Sequence, residues 1–160
     1  MSNEIQELQR ISHEWTAKFL EINLPKVRGE NWWEKCVIHK LTEIQEKFLI
    51  DYKWSKLEEL DWATNLRIFD KNWYVLKDLL KIPSEKRNLL YQLLEIRNKL
   101  AHPDVHGIPL NDQISYADTF SRYLDFIEAD ASAVKSAKEM HKLLMTRHIN
   151  GMDADEEQGN

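Results

Sequence analysis

Residues 84–103, SEKRNLLYQLLEIRNKLAHP, decide the fold class of this chain. At about 100° per residue, Leu89, Leu90, Leu93, Leu94, Ile96, Leu100 and Ala101 gather on one side of a helix. Pro103 stops that helix nearby, because its ring pushes the preceding residue out of helical geometry. Arg97 lands inside the apolar side, between Leu90 and Leu93 in angle. A guanidinium is always charged and does not enter a core unpaired, so Arg97 must meet a carboxylate, a helix end, a subunit interface or a bound anion. The ordinary solution is an acid further along the chain, such as Asp118 or Asp125. Tyr91, Glu95, Asn98 and His102 form a separate polar line down the flank, at spacings of four, three and four. His102 closes the line beside Pro103, where a histidine either caps carbonyls or swings free.

Working outward, the same period recurs on both sides. Ile5, Leu8, Trp15, Phe19 and Ile22 predict a helix over residues 4–23, ended by Pro25 and Gly29. Trp33, Val37, Leu41, Ile44 and Phe48 predict a second after Asn31, with Trp15 and Trp33 expected in the core and Trp54 and Trp62 less determined. A third helix runs from Ser55 through Ile68, and a fourth from Asn72 to Leu80. After a short loop through Gly107 and Pro109, apolar residues keep helical spacing from Asp112 almost to Ile149. That length implies either a bend around residues 129–133 or an arm reaching outside the body. The polar residues 151–160 are expected to form a disordered acidic tail behind a single domain of residues 1–150.

Composition agrees with an all-α protein. Of 160 residues 42% are apolar and 31% charged, and four glycines with four prolines are too few for the frequent tight turns of an all-β chain. No apolar run is long enough to cross a membrane. The lone Cys36 and the lack of a leader-like start point to a cytoplasmic protein. The net charge of −5 weakens the case for bulk nucleic-acid binding. However, Asp153, Asp155, Glu156 and Glu157 account for most of it. Metal ligation is disfavoured: His102 and His106 are four apart, but Pro103 interrupts the helix that would align them, and His13, His39, His141 and His148 are isolated. Cys36 has no neighbouring base in sequence to activate it as a nucleophile.

The segment Glu95-Ile96-Arg97-Asn98-Lys99-Leu100-Ala101-His102 has the form R-N-x-x-x-H and resembles the HEPN superfamily. Its surroundings do so as well: Trp32-Trp33, Leu60-Asp61-Trp62 leading through Leu66, Ile68 and Asp70 to Asn72-Trp73, then Arg122-Tyr123-Leu124-Asp125. This order is similar to the HEPN subfamily named after a eukaryotic nuclear RNA endonuclease with a PIN domain, a subfamily also frequent in bacterial defence loci. The resemblance is strongest over residues 32–128. It implies a bundle of four to six helices with a long C-terminal helix, and a homodimer in which two motifs face one cleft and cut RNA without a metal or cofactor. His102 would then be the general acid or base, Arg97 the phosphate clamp and Asn98 an orienting group, with Tyr91 and Glu95 as substrate contacts. The implied partners are RNA, a second copy of the chain and a neighbouring effector or antitoxin protein. The alternative is a non-catalytic HEPN module that binds RNA or docks proteins.

Overall fold

In the computed structural model the backbone is described for residues 3–158 and the side chains for residues 4–152. The described residues contain seven α-helices and no strand. They are α1 (Asn3–Arg28), α2 (Glu43–Asp51), α3 (Trp62–Lys71), α4 (Trp73–Leu80), α5 (Arg87–Ala101), α6 (Leu110–Phe126) and α7 (Ala131–Gln158). Where composition predicts one domain, the chain divides into two units, one of residues 1–11 with 95–160 and one of residues 12–94.

The unit of residues 12–94 is built around aromatic side chains. Phe19 stacks on Phe69 with centroids 4.9 Å apart, and Phe69 stacks on Trp73 at 6.0 Å. Trp62 and Trp73 are buried, while Trp15 and Trp33, expected in the core from their spacing, are only partly buried. Trp15 has the ammonium of Lys18 at 4.3 Å from its ring, a contact that needs an open ring face. Asp61 caps α3, its Oδ1 accepting from the Thr64 amide at 2.7 Å. The bend between α3 and α4 falls at Asn72, a buried residue whose amide donates to the carbonyls of Ile68 and Cys36. The bond to Ile68 reinforces the last turn of α3, where the same carbonyl also accepts from the Asn72 backbone amide, and the bond to Cys36 ties the junction to the turns of residues 29–40.

Three further expectations for this unit are corrected. The third helix starts at Trp62 and not at Ser55, because Leu60 is extended and Asp61 provides the cap. Pro25 lies inside α1 instead of ending it, and the helix stops at Arg28, followed by Gly29 in the left-handed conformation at φ 61°. The second helix is not continuous: residues 29–40 form short 3₁₀ and π turns, Leu41 is extended, and α2 begins at Glu43. Thr42 and Gln45 form a reciprocal capping box there, and this local signal overrides the apolar period across it. Ile44 and Phe48 are consequently exposed, at 70% and 46%.

In the other unit α6 and α7 are joined by a turn with Glu128 at φ 57°, so the 112–149 run is two helices. Asp130 Oδ1 accepts from the Ala133 amide at 2.8 Å and starts the second. Phe120, Tyr123, Leu124, Ala137 and Leu144 are buried. Arg147 of α7 pairs with Glu4 of α1. α7 remains helical through Gln158, and so includes residues 151–158 of the expected disordered tail; Gly159 and Asn160 lie outside the described residues. Extending an established helix adds one hydrogen bond per residue fixed, and alanine, glutamate and glutamine are good helix formers.

Candidate functional site

α5 forms as its sequence requires, with Leu89, Leu90, Leu93, Ile96 and Leu100 buried. Its last turns belong to the unit of residues 95–160 and carry Glu95, Arg97 and Asn98, with His102 immediately after its last residue. The His102 amide still donates to the Asn98 carbonyl at 3.2 Å, so the helical bonding pattern persists to the residue before Pro103. There the chain turns. Gly107 at φ 77° donates its amide to the Asp104 carbonyl at 2.8 Å, and the Asp104 carboxylate accepts from the Val105 amide. Gln113 then anchors the end of the loop on the Ile108 carbonyl.

Arg97 is partly buried, as its place on the apolar side demands. Among the described residues no carboxylate, carbonyl or aromatic ring engages its guanidinium, and the ordinary solution is not taken. Asp118 pairs instead with Arg122 at 3.1 Å. His102 and Asn98 are exposed, and neither side chain has a hydrogen-bond partner among the described residues. Glu95 is exposed and lies 3.6 Å from Lys99. On an ideal helix Arg97 and His102 are separated by about 7.5 Å of axial rise and about 140° of rotation, whereas Asn98 and His102 are about 40° apart. One copy therefore presents its imidazole and its guanidinium on different sides of α5. Tyr116 of α6 is buried, and burial raises its phenol above the ordinary range; Lys99 acts against the shift, and Asp112 and Glu95 add to it.

Tyr91 belongs to the unit of residues 12–94 and has structural contacts of its own. Arg87, at the start of α5, lies 5.5 Å from the Tyr91 ring and 5.2 Å from that of Tyr74. It also binds Asp70 at 2.8 Å and the Tyr74 hydroxyl at 3.3 Å. The Asp70 hydrogen bond is the main reason that the guanidinium holds its proton above the usual arginine range. This cluster was not anticipated, although Arg87 four residues before Tyr91 on one helix is a readable cation–π spacing. No group of three His, Cys, Asp or Glu residues is placed to hold a metal ion among the described residues.

The profile of the Swt1-like HEPN family matches residues 7–128, a span that contains all five candidate residues. The chain belongs to the Swt1-like HEPN family. No curated protein and no solved structure matches it significantly. The HEPN match extends well before Trp32, where the motifs of the sequence begin to resemble the family, and takes in most of α1. It ends at Glu128, in the turn before α7, so the long C-terminal helix lies outside the matched HEPN region.

Proposed function

We propose that this HEPN protein is a metal-independent endoribonuclease that works as a homodimer, with Arg97, Asn98 and His102 of two copies forming one site. The observation that carries the reading is Arg97: a partly buried cation on an apolar helix side, without a counter-ion among the described residues, on the helix that leads into the exposed His102. An RNA phosphate supplies the missing anion. The chemistry fits these residue types. The 2′-hydroxyl attacks the adjacent phosphorus, one His102 removes its proton, and a protonated His102 of the second copy gives a proton to the departing 5′-oxygen. A 2′,3′-cyclic phosphate and a 5′-hydroxyl result. Arg97 stabilises the added negative charge of the transition state, and Asn98 orients the phosphate. A second copy also answers the angular separation of Arg97 and His102 on one helix. Val105, 94% exposed in the turn after His102, offers apolar surface for that pairing. A bacterial defence role, with an effector or antitoxin as neighbour, is the setting in which such an activity would be restrained.

One observation favours the second reading, a non-catalytic module: no hydrogen bond orients the His102 imidazole among the described residues. A cleavage assay on total RNA in EDTA separates the two. Wild type should leave cyclic phosphate ends, and His102→Ala should lower the rate by about 100- to 10,000-fold with its circular dichroism unchanged. Light scattering should give twice the chain mass of 19.1 kDa. Binding without cutting by a folded wild type would establish the module instead, and a monomer would remove the shared site.

A further inference from the structure

The unit of residues 12–94 contains a cavity of about 480 Å³ whose lining is one-sided in charge. Arg28, Lys35, His39, Lys40 and Lys71 line it together with Tyr74, and no carboxylate does. Arg28, Lys35 and Lys40 make no side-chain hydrogen bond or ion pair among the described residues. Glu34, itself exposed, lies 3.7 Å from His39. In a chain of net charge −5, such a concentration of cations is not an average property of the surface.

The wall is held in place. The irregular turns of residues 29–40 put cations at uneven spacings on one side, which a regular helix would distribute around its axis. Two bonds fix those turns to the α3–α4 junction: the buried Asn72 amide donates to the Cys36 carbonyl at 2.9 Å, and Lys71 Nζ donates to the Lys40 carbonyl at 2.7 Å. Tyr74 is fixed too, with Arg87 bonded to its hydroxyl and close to its ring, yet it remains 69% exposed. The buried Cys36 thiol senses the same field: burial pushes it up, while Arg28, Lys40 and Lys35 all act to lower it.

We infer that this cavity is a phosphate-binding site for single-stranded RNA, in which Arg28, Lys35 and Lys40 hold successive backbone phosphates and the exposed Tyr74 ring stacks a base. The identity of the strand rests on the ribonuclease reading above; the phosphate chemistry rests on the cavity alone. Clustered cations beside an aromatic ring are the usual means of holding a single strand without reading its sequence. A free polyphosphate presents the same chemistry and is the other source of ligand.

The test uses the full chain and a fluorescent 2′-O-methyl RNA 12-mer, which cannot be cleaved, so that loss of catalysis and loss of binding are read separately. Fluorescence anisotropy should show that Arg28→Glu/Lys35→Glu weakens binding at least tenfold and flattens the salt dependence, by roughly 0.7 in log–log slope for each phosphate no longer held. Lys138→Gln/Lys142→Gln, which removes two exposed cations of α7 outside both sites, should stay within about threefold of wild type. The milder Lys35→Gln/Lys40→Gln variant guards against misfolding and should lie between. Tripolyphosphate that raises the melting temperature of wild type but not of Arg28→Glu/Lys35→Glu, with no RNA binding, would keep the phosphate site and assign it to a free ligand. Binding that is unaffected by the cavity variants, or wild type that binds neither probe, would overturn the inference even if the chain cuts RNA.

Discussion

Two arginines ten residues apart on α5 meet opposite surroundings. Arg87 has a carboxylate at 2.8 Å, a phenol at 3.3 Å and two aromatic rings within 5.5 Å. Arg97 is partly buried and has no counter-ion among the described residues. A charge satisfied inside the fold contributes to stability and has little left for a ligand. A charge held beside apolar groups without a partner costs desolvation and recovers it when an anion arrives. The contrast sets a satisfied charge against an unsatisfied one along a single helix.

The largest expected effect is on cleavage. Arg97→Met keeps the apolar stem and removes the charge, so cleavage of a short RNA should fall by at least about 100-fold while stability changes by less than about 0.5 kcal/mol. A large loss of stability would mean that Arg97 is structural after all, and the contrast would fail. Next comes Arg87→Met, which strands the Asp70 carboxylate, 23% exposed, and should cost about 1–2 kcal/mol in urea denaturation. Asp70→Asn should cost less, and the double variant less than the sum of the two, because the pair is lost only once.

The smallest effect is at alkaline pH, where the two units can be compared through buried acids. The Cys36 thiol and the Tyr116 phenol are both pushed up, in each case chiefly by burial. A raised acid favours the neutral form in the fold, so its contribution is fully present below the unfolded value and lost as pH rises through the folded one. Stability should therefore decline gently above about pH 8.5, from Cys36, and further above about pH 10, from Tyr116. Cys36→Ala should remove the first step and Tyr116→Phe the second, as followed by melting temperature against pH.

How far these features were legible in the sequence differs from one to the next. The period of Leu89, Leu90, Leu93, Ile96 and Leu100 sufficed for α5, and Pro103 for its end, because both act through local geometry. The R-N-x-x-x-H spacing was likewise readable. The break at Thr42 was readable as well, since a threonine three residues before a glutamine is a capping box, but the apolar period running across it was the more conspicuous pattern. The Asp70–Arg87 pair was not readable, because it joins residues on different helices.

By itself the sequence determined the all-α class, the position of α5 and the family, because helical periodicity, proline and short motifs are properties of neighbouring residues. Only the tertiary structure decided which charges are used up. Arg87 and Arg97 have the same side chain on the same helix, and what separates them is the presence of Asp70, Tyr74 and Tyr91 around one and, among the described residues, of no counter-ion around the other. The cationic cavity has the same origin: Arg28, Lys35, Lys40 and Lys71 are unremarkable along the chain, and the fold brings the ends of α1 and α3 together with the irregular turns of residues 29–40 at one wall. Electrostatic energy depends on distance through space, which the order of residues does not specify.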